Sequence, residues 1–330
     1  MKAAYIEQTG PPEVITFGEL EKPRPGSGQV LVRTGAVSVN PIDTYIRNGA
    51  NYWPLPTPYV IGCDIAGVVE EVGGDVTRYQ VGDRVWGSNQ GLMGRQGTFA
   101  EFCAIDEQWL YPLPEGVTDE TAAATALVGI TAHLGLFRDG ELKAGETVFV
   151  QGGSGGVGST VLQMAKAAGA RVIASAGSAQ KAQICHELGA DQVVRYDAQD
   201  VVSAVKQFAT DGVQLYWETR REPDLDVAVN CMSERGRLIL MAGRDARPAF
   251  PLGPFYVKGC RAIGFVMFKA TADEQRECAD RINDMLVAGR LKPRIDTVLP
   301  LCDAAEAHRR QEASTVRQSG QLAGKLVLIP

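Results

Sequence analysis

The pattern of apolar positions changes near residue 147. From there to about residue 266, short β-branched and apolar runs alternate with segments whose apolar residues recur at helical spacing. The runs predict buried strands, and the spaced segments predict amphipathic helices. We predict strands at 148–150, 171–174, 192–194, 213–217, 237–242 and 261–266, and helices around 157–168, 179–188, 200–209 and 224–232. This alternation is typical of parallel βαβ units in a doubly wound sheet, so the fold class is α/β.

The regions before and after this block differ from it in composition and in the pattern of their apolar residues. Residues 1 to about 120 are rich in Gly, Pro and short β-type runs, which predict a compact, partly antiparallel β-domain. An alanine-rich helix follows at 118–137. After 267 we predict a helix that begins with the capping box of Thr271 and Glu274, and a closing strand at 325–329. The predicted domains are therefore 1–122 with 268–330, and 123–267, and the cleft between them is the expected site.

Composition narrows the possible classes of protein. The chain of 330 residues has 45% hydrophobic residues, a net charge of −6 and a pI near 5.3. This charge argues against binding to nucleic acid or to an anionic membrane. No apolar run reaches the ~18–20 residues of a membrane span, and the N-terminus lacks a signal-peptide pattern. Seven cysteines without a C-x-x-C pair predict reduced thiols in a cytoplasmic protein.

The stretch TVFVQGGSGGVG at 147–158 contains the pattern G-x-G-x-x-G as Gly153, Gly155 and Gly158. It follows a predicted strand and opens a predicted helix, which is the context that the dinucleotide fingerprint requires. The first glycine permits a tight turn, the second admits the pyrophosphate and the third lets the helix pack on the strand. We therefore predict a bound dinucleotide on this turn, which also includes Ser154, Gly156 and Val157.

The end of the second strand indicates which dinucleotide is bound. Proteins specific for NAD place an acidic residue there, ~20 residues after the glycine turn, to bind the ribose 2′-hydroxyl. In this chain the strand leads into Ser178, and the next acidic residue is Glu187. Lys181 and Tyr196 are candidate contacts for a 2′-phosphate, although they are equally explained as a solvated helix charge and a loop aromatic. We predict NADP(H).

Several motifs now become recognisable. They are NPIDTYIRNG at 40–49, GCDIAGVVEEVG at 62–73, VGDRV at 81–85, ELGAD at 187–191, AAEAH at 304–308 and GKLVLIP at 324–330. In combination, and over essentially the whole chain, they resemble the medium-chain dehydrogenase/reductase superfamily. The 40–49 segment is most similar to its zinc-independent quinone oxidoreductase branch, which includes zeta-crystallin. The resemblance implies a GroES-like catalytic domain, a Rossmann domain, and the reduction of quinones or activated alkenes by NADPH.

The chain departs from the zinc-containing branch. Zinc alcohol dehydrogenases carry a ligand Cys where this chain has Asn40, and GHE where it has Gly62-Cys63-Asp64. Their cysteine-rich zinc lobe has no counterpart between residues 86 and 102. Cys63 with Asp64 and Asn40 is a poor set of zinc ligands, so we predict no metal.

Without a metal, quinones and enones are easier hydride acceptors than simple ketones, because the developing charge is delocalised onto an oxygen that hydrogen bonds can support. The candidate catalytic residues are Asn40, Asp43, Tyr45, Arg47 and Tyr52. We hypothesise that Tyr45 or Tyr52 hydrogen-bonds this oxygen. Alternatively, the tyrosines only pack, Asn40 is a turn residue, and Asp43 and Arg47 form an exposed helical ion pair.

The resemblance also implies cofactor contacts outside the glycine turn. They are Thr131, Gly243, Phe265, Met267 and Lys325, the last of them with a phosphate. A helix-interior threonine, core packing and a solvated lysine are the respective alternatives for Thr131, the phenylalanine and Lys325. The segment WETRR at 217–221 departs from relatives, which have an Asp and small residues there. If the strand at 261–266 lies at the sheet edge, it is a candidate for pairing in a homodimer.

Two further hypotheses remain open. An acrylate-type alkene reductase would use Arg47 to bind a substrate carboxylate. A non-catalytic NADPH-binding protein, with a structural or RNA-binding role, is the alternative from another class, and the acidic pI argues against RNA. We expect a small-molecule substrate and no nucleic-acid or membrane partner.

Overall fold

The chain forms two compact units. The computed structural model describes residues 1–50, 53–316 and 319–330. Unit 1 comprises Met1–Leu127 and Ala270–Pro330, and unit 2 comprises Val128–Lys269. The boundaries differ by only a few residues from the divisions after 122 and 267 that the sequence suggested.

Strands and helices are numbered separately in chain order. The strands are β1 Lys2–Ile6, β2 Thr16–Glu19, β3 Gln29–Val39, β4 Tyr59–Val60, β5 Asp64–Val72, β6 Arg84–Gly87, β7 Phe102–Asp106, β8 Leu110–Pro112, β9 Thr147–Val150, β10 Arg171–Ala176, β11 Gln192–Arg195, β12 Val213–Glu218, β13 Met232–Leu240, β14 Arg261–Gly264, β15 Ile295–Pro300 and β16 Lys325–Ile329. The helices are α1 Pro41–Arg47, α2 Asp119–His133, α3 Gly156–Ala167, α4 Ala179–Glu187, α5 Val201–Phe208, α6 Leu225–Cys231, α7 Leu252–Val257, α8 Ala272–Val287 and α9 Ala304–Thr315.

Unit 1 is built on the long strand β3. A seven-stranded sheet has the order β15-β16-β3-β5-β6-β8, with β7 also paired to β3, and a smaller sheet has the order β2-β1-β4. The C-terminal strand β16 runs antiparallel to β3, with Leu326 opposite Val39. The last strand of the chain therefore meets the end of β3, where α1 begins.

Unit 2 is the predicted doubly wound domain. Its six parallel strands have the order β11-β10-β9-β12-β13-β14. The chain proceeds from β9 to one side through β10 and β11, and then returns to the other side at β12. Strand order thus reverses beside β9, and ligands of open α/β sheets bind at the carboxyl ends of the strands at such a point. Phe149 and Tyr216 stack within the core on adjacent strands, with ring centroids 4.7 Å apart.

Three elements of unit 2 differ most from the sequence-based prediction. Helix α7 was missed because its sequence, LGPFYV, contains Gly and Pro, although a proline in the first turn of a helix is tolerated. Strand β13 begins at Met232 rather than 237. Its polar first residues are included because Met232 pairs with Val213 of β12, and a register shift separates this pair from the next one. Strand β14 ends at Gly264, and a 3-10 helix at Met267–Lys269 follows it.

Helix α2 continues into a π-helix at Leu134–Asp139. The whole segment Asp119–Asp139 is long and apolar enough to cross a membrane by length and composition, but 72% of its apolar window is buried within the protein, as in a core helix. In the π-helix, a Cβ on Gly135 would lie 2.4 Å from the indole of Trp217 and 2.8 Å from the ring of Phe265. Gly135 therefore makes room for Trp217, the bulkiest departure in the 217–221 segment.

Candidate functional site

The glycine turn of unit 2 is fastened to both neighbouring strands. The N–H of Gln151 donates to the carbonyl of Trp217 at 2.9 Å. On the other side, the N–H of Gly152 donates to Ser175 Oγ at 2.9 Å, and that of Gly153 to the carbonyl of Ser175 at 3.0 Å. The turn is thus held at the carboxyl ends of β10 and β12.

The three fingerprint glycines have different environments. A Cβ on Gly153 would lie 2.7 Å from the Cβ of Ala174, and one on Gly158 would lie 2.1 Å from the carbonyl oxygen of Gly152. A Cβ on Gly155 would meet only the oxygen of Gly152, at 3.4 Å. Gly153 and Gly158 are therefore required by packing within the protein, whereas the surface over Gly155 is open to a ligand. This is the division of roles that a pyrophosphate-binding turn needs.

The start of α3 is equipped for an anion. Among the described residues, no side chain caps this helix, whose N-cap is Gly155. The next three helices of unit 2, α4, α5 and α6, are capped by Ser178, Asp200 and Asp224, which accept bonds from backbone N–H groups. First-turn N–H groups and the positive end of the helix dipole favour phosphate at α3.

The end of β10 lacks a carboxylate and has hydroxyl groups instead. The strand leads through Gly177 to Ser178, whose Oγ accepts a bond from the N–H of Lys181 at 3.2 Å. Tyr196 is about half exposed, and its hydroxyl oxygen would lie 2.2 Å from a Cβ on Gly177. The two predicted 2′-phosphate contacts, Lys181 and Tyr196, and the predicted cofactor-binding residue Ser178 therefore belong to one short region at the end of β10. The donor set fits a phosphorylated ribose.

The other predicted cofactor residues of unit 2 differ in their burial and in the groups that they contact. Thr131 lies inside α2, and its buried Oγ1 has no hydrogen-bond partner among the described residues. Gly243 adopts a φ of 80° next to the carbonyl of Arg221. Phe265 packs edge-on against Trp217, with centroids 6.2 Å apart, and Met267 is buried. Their contacts with a cofactor remain predictions.

The 217–221 segment is tied to the glycine turn. The hydroxyl of Thr219 donates to the carbonyl of Gln151 at 2.7 Å. The guanidinium of Arg220 forms a salt bridge with the buried carboxylate of Glu218, and the distance from Arg220 Nη2 to Glu218 Oε2 is 2.9 Å. The segment therefore supports the turn, and the charge of Arg220 is balanced locally.

In unit 1, Asn40 is the N-cap residue of α1. Its backbone N–H donates to the carboxylate of Asp43 at 2.7 Å. Both residues are buried, and Asn40 begins a helix, so it is not only a turn residue. The pKa of Asp43 is raised to about 7, and burial is the largest cause of this rise. A hydrogen bond with the Cys63 thiol acts in the opposite direction.

The side chain of Asn40 belongs to a buried polar cluster around Asp64. Asp64 Oδ2 accepts bonds from Asn40 Nδ2 and from Ser38 Oγ, both at 2.7 Å. Asp64 Oδ1 accepts from Ser88 Oγ at 2.8 Å and from the N–H of Leu127 at 3.0 Å. Asp64 is fully buried and is hydrogen-bonded on both oxygens.

Both interpretations of Lys325, a phosphate contact and a solvated lysine, were wrong. The residue is 4% exposed, and its ammonium donates to the carbonyl of Val39 at 2.8 Å and to Asn40 Oδ1. It also lies 3.7 Å from Asp64 Oδ2. Burial lowers the pKa of Lys325, and the carboxylate of Asp64 opposes this effect. A buried amine that is committed to internal acceptors has no free position for a ligand.

The two interpretations of Arg47 were also wrong. It does not form an exposed ion pair with Asp43, and it is not placed to bind a substrate carboxylate, because it is fully buried and paired with Glu312 of α9. Its neighbour His308 is equally buried. Burial and the charge of Arg47 lower the pKa of His308 to about 3, so its imidazole is neutral. Arg47 therefore joins α1 to α9.

Of the two tyrosines, only one can be described. Tyr45 lies on α1 and is half-buried, whereas Asp43, Thr44, Ile46 and Arg47 of the same helix are buried. Tyr52 lies outside the described residues.

The residues at the zinc-ligand positions do not fit zinc. Coordination by cysteine requires the thiolate, but burial raises the pKa of Cys63 well above its ordinary value. Asp64 and the amide of Asn40 are already engaged in the cluster. Across 1–50, 53–316 and 319–330, no group of three His, Cys, Asp or Glu residues could hold a metal ion.

The fold and the glycine turn define a dehydrogenase or reductase of the medium-chain type, and comparisons agree. Residues 26–115 match the family model "Alcohol dehydrogenase GroES-like domain", and residues 156–284 match "Zinc-binding dehydrogenase". The Quinone oxidoreductase of Rattus norvegicus is 32% identical over 100% of this chain and 98% of its own length.

Solved structures extend the likeness to the whole fold. A structure described as an NAD-dependent alcohol dehydrogenase has a TM-score of 0.91 with 29% identity, and covers both chains fully. The quinone oxidoreductase of Escherichia coli, solved in complex with NADPH, has a TM-score of 0.87 with 28% identity, again over both full chains. The chain therefore belongs to the quinone oxidoreductase branch of the medium-chain dehydrogenase/reductase superfamily.

Sequence reasoning missed some residues that support these sites. Ser175 anchors the glycine turn through both its hydroxyl and its carbonyl, yet in sequence it is one small residue within a strand. Ser38 and Ser88 donate to Asp64 from different strand ends. A signal was available for Asp64 alone, because a carboxylate flanked by apolar residues in a strand requires buried partners.

The fingerprint glycines provide a matched pair of substitutions. Gly155→Ala should leave the unfolding midpoint nearly unchanged but weaken dinucleotide affinity about tenfold or more, because the methyl group would occupy the open surface. Gly158→Ala should lower the stability of unit 2 by about 1–3 kcal/mol, because its Cβ would clash with the backbone. Thermal unfolding and titration of cofactor fluorescence measure the two effects. Equal affinity of Gly155→Ala and the unsubstituted protein would contradict this assignment.

Proposed function

We propose that this protein is an NADPH-dependent, zinc-independent oxidoreductase that reduces a quinone or an α,β-unsaturated carbonyl compound. The observation that carries the proposal is the glycine turn with an open surface at Gly155, next to a strand end that has hydroxyl groups and no carboxylate. When bound, NADPH supplies a hydride.

The choice of NADPH rests on the end of β10. Gly153, Ser154, Gly155, Gly156, Val157 and Gly158 hold the pyrophosphate, and Ser178, Lys181 and Tyr196 hold the 2′-phosphate. An acidic residue at this strand end would repel that phosphate, and the chain has none there. The NADPH complex of the Escherichia coli relative supports this choice.

The proposed substrate class rests on two features of unit 1, the absence of a free positive charge in the Asp64 cluster and the presence of candidate tyrosine hydroxyl donors. Lys325 and Asp64 are committed to each other and to Asn40, so this cluster offers no spare positive charge to polarise a simple ketone. A conjugated acceptor spreads the incoming electron pair onto its oxygen, where one hydrogen bond is sufficient support. The hydroxyl of Tyr45 or Tyr52 donates that bond, and a proton from the tyrosine or from water completes the product.

The acrylate reductase is disfavoured, because Arg47, the cation that it required, is buried and paired with Glu312. A non-catalytic NADPH-binding protein is the remaining alternative, and the next experiment distinguishes it.

The test is NADPH oxidation, followed at 340 nm, against a panel of ortho- and para-quinones, enones and acrylates. We expect turnover with quinones or enones, no preference for free carboxylates, a lower KM for NADPH than for NADH, and no loss on treatment with a chelator. Tight NADPH binding without turnover across the panel would favour the non-catalytic alternative. Activity that is lost with chelator and restored by zinc would refute zinc independence.

Tyrosine replacements test the proposed hydrogen bond. Tyr45→Phe and Tyr52→Phe remove only the hydroxyl, so at least one should lower kcat by about 10- to 1000-fold with little change in NADPH affinity. Tyr5→Phe, on β1 of the same unit, is the control. If the double replacement retains full kcat with the best substrate of the panel, neither hydroxyl has this role.

We further propose that the protein is a cytoplasmic homodimer. Strand β14 is the last strand of its sheet, so one of its edges is left unpaired within unit 2. The neighbouring helix α7 exposes Leu252, Tyr256 and Val257. An edge strand can pair with its own copy around a two-fold axis, and the apolar helix would be covered in the same event. Free cysteines at all seven positions agree with a reducing compartment.

Val257→Glu should convert the dimer to monomers, because it puts a charge into the proposed contact. Val257 is 74% exposed in the single chain, and Val81→Glu, at a residue of unit 1 that is 63% exposed, is the matched control. Sedimentation equilibrium should give twice the chain mass for the unsubstituted protein and the control. A monomeric unsubstituted protein would exclude the interface.

A further inference from the structure

Lys325 is a buried charge that the proposed reaction does not use. It is the first residue of β16, and its side chain enters the interior of unit 1. A lysine ammonium has three N–H donors and no acceptor. Here three acceptors surround it, namely the carbonyl of Val39, Asn40 Oδ1 and Asp64 Oδ2. The ammonium therefore donates hydrogen bonds to Val39 and Asn40 and forms an ion pair with Asp64 at 3.7 Å.

Two of these acceptors, Asn40 and Asp64, lie in the two segments where the chain departs from the zinc alcohol dehydrogenases. Zinc alcohol dehydrogenases have a ligand Cys at the position of Asn40 and the sequence GHE at 62–64. In this chain the cation that lies among these positions is the ammonium of Lys325, and the carboxylate of Asp43 also opposes the lowering of its pKa by burial. Burial of Asp64 requires such a cation, because an isolated buried carboxylate is strongly unfavourable.

We propose that the Lys325 ammonium replaces the metal ion of the zinc alcohol dehydrogenases as the buried positive charge that joins Asn40 to Asp64. Two consequences follow from the geometry. An ammonium can face only an oxygen, so it fixes the amide of Asn40 with Oδ1 towards Lys325 and Nδ2 towards Asp64. A divalent ion could not enter as well, because it would bring two further positive charges beside a fixed one.

The charge pairing is tested by a double-mutant cycle in the full-length protein. Lys325→Met should lower the unfolding midpoint by on the order of 10 °C, because it leaves Asp64 buried without its cation. Lys325→Met/Asp64→Asn should lose less stability than the two single variants added together, because either change alone already removes the charge pair. Lys292→Met, at an exposed lysine of the same unit, is the control and should change the midpoint little.

The opposite result would overturn the proposal. If the double variant loses as much stability as the two single variants added together, Lys325 and Asp64 are not coupled. If Lys325→Met does not accumulate in folded form, the yield of soluble protein replaces the midpoint. A loss of yield in the double variant that is smaller than the two single losses combined then supports the pairing, and an additive loss contradicts it.

The exclusion of metal is tested separately by adding Zn2+ to chelator-treated protein. We expect the unfolding midpoint of the unsubstituted protein to stay unchanged, because the Lys325 ammonium already supplies the positive charge of the cluster. A rise in the unsubstituted protein overturns the replacement. These readouts need neither cofactor nor substrate, so they are independent of the proposed function.

Discussion

The fold of unit 1 depends on satisfying one buried carboxylate. Asp64 accepts four hydrogen bonds and faces one ammonium, and these partners come from β3, α2, β16 and the segment after β6. Removing a carboxylate from water is strongly unfavourable unless all of these groups are in place. The partner residues span positions 38 to 325, so unit 1 cannot complete its interior until the last strand of the chain has paired with β3. This explains why the chain must return to unit 1 after building unit 2.

The same constraint limits the chemistry that unit 1 can support. A site with an exposed cation stabilises an alkoxide directly, as a bound metal does. Here the positive charge of Lys325 and the donors of Asn40 point inward to Asp64, so they stabilise the protein and not a substrate oxygen. Under the proposed function, stabilisation of the reacting oxygen comes from neutral donors such as tyrosine hydroxyls. Acceptors that already delocalise charge are suited to such donors, which connects the interior of unit 1 with the proposed substrates.

Local patterns and long-range partners differ in how far sequence can predict them. The glycine turn was predictable because its strand, its glycines and its helix are contiguous, and each glycine follows from local geometry. Arg47 and Lys325 were assigned wrongly because their partners are remote. Glu312 is 265 residues from Arg47, and Asn40 is 285 residues from Lys325. An isolated lysine near a terminus is indistinguishable from a solvated one until the strand pairing is known. Trp217 posed the same problem, because the space for its indole is provided by Gly135, which lies in a helix far away in sequence.

The unusual 217–221 segment shows how a departure from relatives can leave a binding turn intact. Trp217 points into the interior and is accommodated by the π-helix at Gly135, so its bulk is absorbed away from the glycine turn. The next residue brings a carboxylate to the carboxyl end of β12, where it would repel a phosphate. Arg220 neutralises it with a close ion pair, and the hydroxyl of Thr219 ties the segment to Gln151. The size of Trp217 is thus accommodated by Gly135, and the charge of Glu218 is balanced by Arg220. Together, Glu218 and Arg220 add no net charge near the glycine turn.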